Sequence, residues 1–306
     1  MSPDATPTAN PPHPKLRWYQ YRLRSLFLLM LLATIPLGWL SVKLKAAREQ
    51  KAAVEAIQEL DGDVCYDYQN GWDDGTSEPP GPAWLHKWLG DDVFVNVTGL
   101  RFESTEANWR RLTDDALKNL KAFPRLEELS FEDGHNITDH GLECLEGLTR
   151  LQVLRLSDSQ TSDAALKHLT GLTQLQVLDL SGTKVSGGGL EHLAGLARLQ
   201  ELNLAETKVS DTGLKYLKGF TKLQLLDLRD TTVSDAGLEH LKGLTRLQWL
   251  DLSGTEVTDA GLEHLKGLTQ LQELYTAGTR VSDAALKKLQ KALPTLKSLG
   301  YNSVVF

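Results

Sequence analysis

The six residues LDLSGT occur twice, at Leu178–Thr183 and at Leu250–Thr255. The interval is three periods of 24: successive units begin at Leu151, Leu175, Leu199, Leu223, Leu247 and Leu271. Another unit begins at Leu126, with one extra residue in its loop "DGHN". A degenerate unit begins near Val97, where "ESTEANWRR" swells the loop, and a truncated one begins at Leu296. This regularity constrains the fold more than composition does. A unit this short cannot bury its apolar side alone, so neighbours must stack and share one continuous core.

Each column of the alignment has a physical job. In "LQVLDLSGT", Leu178 and Leu180 alternate along a short strand and point inward, while Asp179 points out. Thr183, Thr207, Thr231, Thr255 and Thr279 share one column, where a hydroxyl satisfies backbone groups of the turn leaving the strand. Val185, Val209, Val233, Val257 and Val281 plug the core next. A helix start follows, marked by Ser210–Asp211, Ser234–Asp235, Thr258–Asp259 and Ser282–Asp283, whose side chains accept bonds from free amides. Leu262, Leu265 and Leu268 recur at three-residue spacing. Gly243 and Gly267 stand where a left-handed residue would end the helix, with Leu244 and Leu268 as the accompanying contact. "SGGGL" at Ser186–Leu190 breaks the cap pattern and reads as a weakened unit.

This pattern, LxxLxLxx followed by a polar residue, resembles the leucine-rich repeat. The expected fold is an α/β leucine-rich-repeat solenoid: a right-handed arc with parallel strands on its concave face and helices on its convex face, preceded by one transmembrane helix. About eight to nine units fill residues 97–306.

The anchor is read from "SLFLLMLLATIPLGWLSV", residues 25–42, which carries no charge. That is close to the roughly 20 apolar residues that cross a bilayer as a helix. Trp18, Tyr19, Tyr21 and Trp39 sit where an interfacial belt would be, and Pro36 is tolerable within a span. The alternative, a cleaved signal peptide, fits less well: the run is long for a signal core and no small-x-small site follows it cleanly. Residues 1–24 read as a disordered, basic tail, and "KLKAAREQKAAVEAIQEL" as the helix continuing to about residue 60. Lys15, Arg17, Arg22 and Arg24 before the run balance Lys43, Lys45, Arg48 and Lys51 after it. The positive-inside count therefore ties; the short leading tail, whose charges abut the run with no acidic residue among them, favours the N-terminus inside. The repeats would then lie outside the cytoplasmic membrane.

Residues 61–96 are expected to cap the open end of the core. Within them "DGDVCYDYQ" reads as a strand, "NGWDDGTSEPPGP" as a loop, and "AWLHKWLG" as a short helix with Trp84, Leu85 and Trp88 near one face. The role of the Cys65 neighbourhood is not legible from pattern.

The formal charge of −7 and pI of about 5.7 give no support for nucleic-acid binding. Two cysteines, Cys65 and Cys144, are too few for a disulfide scaffold or a four-thiolate site. HExxH, GxSxG, CxxC and a phosphate-loop motif are all absent, and the aspartates recur with the period, so no catalytic residue and no cofactor is expected. His168, His192, His240 and His264 share a column with Cys144 and Tyr216. Neighbouring helices about 8–10 Å apart cannot bring four such ligands to the 2.0–2.1 Å that zinc requires, so no metal is expected either. Gln152, Gln176, Gln200, Gln224, Gln248 and Gln272 suggest a hydrogen-bonded ladder, and Glu239–Lys242 and Glu263–Lys266 suggest helix ion pairs.

The expected binding surface is the concave face. One column there runs Glu128, Val153, Val177, Glu201, Leu225, Trp249, Glu273; the next runs Ser130, Arg155, Asp179, Asn203, Asp227, Asp251, Tyr275. An apolar stripe would adjoin an acidic row, and aromatics among polar groups make hot spots.

The "TDxGL" helices resemble the cysteine-containing repeats found beside F-boxes, with Thr and Gly-Leu here where those often have Cys. No F-box-like segment precedes the repeats, so a ubiquitin-ligase role is not implied. The layout of anchor, "VCYDYQ" segment and repeats also resembles membrane-anchored leucine-rich-repeat proteins of planctomycete-type bacteria. That resemblance implies binding and little more; a protein partner of unknown identity, bound by a monomer, is expected. An envelope scaffold without a specific ligand is the alternative.

Overall fold

A computed structural model of the chain describes residues 18–69, 72, 77–102 and 112–300. The tail up to residue 17, the swollen loop 103–111, most of the turn-rich loop after residue 69 and the end of the last unit lie outside the described residues. Two compact units are distinguished, residues 1–47 and 48–306.

In the first unit, helix α1 (Trp18–Gln58) begins and runs on into the second. Its stretch from Ser25 is long and apolar enough to cross a membrane, and its apolar side chains are exposed.

The second unit is a ten-stranded sheet in strict chain order: β1 (Gly62–Tyr66), β2 (Val97–Phe102), β3 (Glu128–Phe131), β4 (Val153–Leu156), β5 (Val177–Asp179), β6 (Glu201–Asn203), β7 (Leu225–Asp227), β8 (Trp249–Asp251), β9 (Glu273–Tyr275) and β10 (Ser298–Gly300). Strands β2 to β10 are parallel and β1 is antiparallel to β2. Successive units pair in register, so Leu154, Leu178, Leu202, Leu226, Leu250 and Leu274 form one fully buried row. The expected leucine-rich solenoid is therefore present, with a single core running through all units.

The outer segments are shorter and tighter than the word helix suggests. Asp235–Leu238 is one α turn followed by a 3₁₀ turn at Glu239–Gly243, and Gly261–Gly267 is 3₁₀ throughout. A three-residue leucine spacing suits three residues per turn: side chains at i and i+3 eclipse and enter the core as a column. Leu262, Leu265 and Leu268 are all buried in this way.

Two local expectations are corrected. Gly243 and Gly267 are not left-handed; Leu244 and Leu268 close the turn with φ −84°, their N–H groups donating to Leu241 and Leu265. A 3₁₀ end tightens directly into the next turn and needs no left-handed cap. The left-handed position is instead in the turn after each strand, at Asp158, Gly182, Glu206, Asp230, Gly254 and Gly278. Asp and Gly there are the residues that tolerate such backbone.

The helix-start aspartates also do something other than cap their own turn. Asp235 Oδ1 accepts from the Thr258 N–H (2.8 Å) and Oδ2 from its hydroxyl (2.6 Å), one repeat onward. Asp114, Asp139, Asp163, Asp211 and Asp259 bind the following Thr or Ser in the same way. Ser162 and Ser234 then accept from the amides two residues on, as caps should. The rung is missing where Gly187 replaces Asp, and Ser210 makes no cap bond. There the two backbones close up: a Cβ on Gly187 would stand 2.8 Å from the Gly213 Cα.

The threonine column donates to the carbonyl three residues back, as in Thr183 to Leu180 and Thr231 to Leu228 (2.6 Å each). The glutamine ladder forms from Gln152 through Gln176 and Gln200 to Gln224. Both helix ion pairs, Glu239–Lys242 and Glu263–Lys266, are present.

The open N-terminal end is covered by β1 and by the last turns of α1. Ala53, Val54 and Ile57 are buried in the common core, and the buried Gln50 donates to the Val95 carbonyl (3.1 Å). The end of α1 thus joins β1 at this end of the core.

Candidate functional site: the outer face of the sheet

Strand register fixes the geometry of this face. The pairs Glu128–Val153, Val153–Val177, Val177–Glu201, Glu201–Leu225, Leu225–Trp249 and Trp249–Glu273 stand side by side. Neighbouring strands lie about 4.8 Å apart, so these side chains make one continuous stripe. All seven are half-buried, flanked by one another and open on the outer side. The apolar members fall in two pairs, Val153 with Val177 and Leu225 with Trp249, separated by Glu201 and ended by Glu273.

The neighbouring column is different from the acidic rim expected of it. Asp179, Asn203, Asp227, Asp251 and Tyr275 are buried, Asp227 and Asp251 completely; Arg155 alone is substantially exposed. The reason is local. Each short side chain folds back to accept the amide two residues ahead: Asp179 from Ser181 (2.9 Å), Asn203 from Ala205 (3.0 Å), Asp227 from Arg229 (3.0 Å), Asp251 from Ser253 (2.8 Å). This is the Asx turn, which ends each strand, and neighbouring strands then enclose it. The row therefore shapes the face more than it presents charge.

Asp227 is the most perturbed of the row. Burial pushes its carboxyl up to about 6, more than the Arg229 amide and guanidinium pull it down, and the Asp251 and Asp179 charges add to the rise. The Arg229 Nε lies 3.6 Å from Asp227 Oδ2, too long for a hydrogen bond. The outer oxygens of both Asp227 and Asp251 lack hydrogen-bond partners among the described residues.

At the C-terminal end, the Trp249 and Tyr275 rings pack at 5.4 Å with their planes tilted by 43°. The Tyr275 hydroxyl donates to Glu273 (2.8 Å), which turns that carboxylate toward the pair. An aromatic pair of this kind contributes about 0.5–1.5 kcal/mol beyond its area.

At the N-terminal end the structure places a residue that pattern reading missed. Trp72 packs against Gly99, where a Cβ would lie 2.8 Å from its ring, and the Arg101 guanidinium stacks on it at 4.4 Å. Its indole N–H donates to Glu128 (3.1 Å), which also holds Arg155 (3.3 Å). Gly99 in a strand was the available signal, since a strand glycine marks close approach by another group. Arg155 and Glu128 are thus tied into a network that borders the face.

The histidine column makes no ladder. His168 is bonded to Glu146 (2.5 Å), and no group of three or more metal-ligating side chains assembles among the described residues. Cys65 and Cys144 form no disulfide, and burial raises both thiols.

The chain is 25% identical to internalin C2 of Listeria monocytogenes, with a TM-score of 0.53 over 67% of this chain and 80% of that one. An internalin F structure from the same organism aligns at 19% identity and a TM-score of 0.37, over 61% of this chain and 71% of that one. A search of curated proteins found no match. A family model described as a leucine-rich repeat region matches residues 108–305. With that match covering most of the chain and the stacked units in register, this protein belongs to the leucine-rich-repeat family.

Proposed function

We propose that the chain is a membrane-anchored, non-catalytic binding module that presents its concave face to a protein partner. The observation that carries this reading is the in-register stripe from Val153 to Trp249, ending in the Trp249–Tyr275 pair. A stacked solenoid holds such a stripe rigidly, so little side-chain order is lost when a partner docks. The contact set is Val153, Arg155, Val177, Glu201, Leu225, Trp249 and Glu273 on the open surface, supported from beneath by Asp179, Asn203, Asp227, Asp251 and Tyr275. Residues 25–42 anchor the protein as a single-pass helix in the cytoplasmic membrane of a bacterium, with the repeats outside the cytoplasm.

The test is cross-linking capture with full-length wild-type and Trp249→Ala baits, read as partner affinity. Loss of a central aromatic anchor costs more than about 1 kcal/mol, roughly fivefold in affinity, with folding intact. Equal affinity of the two baits removes the binding reading and leaves the envelope scaffold. Protease treatment of intact cells reads the topology: shaving of the repeats supports the outward orientation, and protection overturns it.

A further inference from the structure

The turns that lead from each outer segment into the next strand form one edge of the solenoid. Their exposed residues carry a charge pattern that the net charge conceals. Arg150, Arg198, Lys222 and Arg246 occupy one position of this turn, in four of the repeats. Lys218 and Lys242 occupy a second position four residues earlier. All six are exposed. Among the described residues, Arg150, Arg198, Lys218, Lys222 and Arg246 form no ion pair, while Lys242 meets Glu239. The only acidic residue within these turns, from 146–150 to 266–270, is Glu146, and it is bonded to His168.

The opposite edge, where the strands end, is of mixed sign: Asp158, Glu206, Asp230 and Glu256 stand there beside Lys184, Lys208, Arg229 and Arg280. A chain of net charge −7 therefore has one predominantly basic edge and one of mixed sign. The row follows the sheet in register, so its members project from one side, with a gap at Gln174. A compact ligand would reach only one or two of them. An extended anionic surface meets them all together.

We infer that this basic edge docks on the anionic headgroups of a lipid bilayer. The inference rests on the anchor reading, because an apolar segment in the same chain keeps such a surface within reach at high effective concentration. Each Lys or Arg brought to an anionic leaflet strengthens the contact about fivefold, and salt weakens it by screening.

The full-length protein in nanodiscs tests this, using phosphatidylcholine alone or mixed with phosphatidylglycerol. Lysine acetylation rates are read by mass spectrometry. The expected result is that Lys218 and Lys222 label several-fold more slowly in the anionic discs. Lys184 and Lys208, exposed on the opposite edge, should label equally in both. High salt, or the double substitution R198E/R246E, should restore the labelling of Lys218 and Lys222. Equal labelling of Lys222 in both discs, with the protein inserted, overturns the edge assignment and leaves the anchor standing. Protection by added soluble polyphosphate or DNA, without protection by phosphatidylglycerol, also overturns it in favour of a polymeric anion. A chain that fails to enter discs overturns the anchor; if it then fails to float with phosphatidylglycerol vesicles, the edge proposal falls with it.

Discussion

Replacing Asp235 by Ala tests whether the aspartate column binds one repeat to the next. The carboxylate accepts two bonds from Thr258, at 2.8 and 2.6 Å, across a repeat boundary. Bonds to a charged acceptor contribute about 1.5–3 kcal/mol each, and partial solvent access favours the low end, so the pair is worth roughly 3 kcal/mol. At about 2–4 °C per kcal/mol for a protein of this size, the melting temperature should fall by roughly 6–12 °C. Circular dichroism of the full-length protein in detergent reads this. Thr258→Ala should lower it by less, since the Thr258 amide keeps its carboxylate, and the double variant should fall well short of additivity. The natural gap supplies a control. Ser234→Ala loses a bond to Asp211 (2.6 Å), whereas Ser210 faces Gly187 and has no such bond to lose, so Ser210→Ala should cost far less. A change below about 2 °C for Asp235→Ala, or equal losses at Ser210 and Ser234, would refute the reasoning.

Asp227→Asn addresses the buried carboxyl at about 6. A raised carboxyl makes the folded state take up its proton first, so wild-type stability should rise as pH falls from about 7 toward the unfolded value of 3.8. The variant keeps the acceptor for the Arg229 amide, as Asn203 does for Ala205, so it should be more stable at pH 8 and show a flatter profile; urea midpoints across pH check this. Gly182→Ala meets both a φ of 66° and the Asp158 carboxylate, and should cost about 1–3 kcal/mol; Gly195→Ala, with open space around it, should change little. Leu226→Ala, fully buried in the middle of the row, should cost about 2–5 kcal/mol by chemical denaturation. Trp72→Ala uncovers the Arg101 side chain, and should raise the reactivity of Arg101 toward phenylglyoxal while Arg155, still held by Glu128, changes little.

The repeat length, the strand with its two inward leucines, the threonine that returns to the turn and the glutamine ladder were all legible in the sequence. Each depends on contacts that recur at a fixed offset, so one unit read carefully describes the rest. Even the 3₁₀ character was present in the three-residue leucine spacing, though the segment was read simply as a helix. The two strand columns pair in the order the alternation suggests, because alternation along a strand sets which residues share a face.

What the sequence left open is what depends on how units meet. Asp235 was placed at its own helix start, yet its partner is 23 residues away, and only the stacking brings the two together. The aspartates of the second concave column were read as a charged rim. They are buried because neighbouring strands enclose side chains that have already folded onto their own turns. Trp72 crosses to Gly99 from a loop with no periodicity to reveal it. Local pattern specifies a module because its forces act within a few residues. Which polar groups end up open or enclosed depends on the approach of a second module, and that distance is set only when the whole stack has formed.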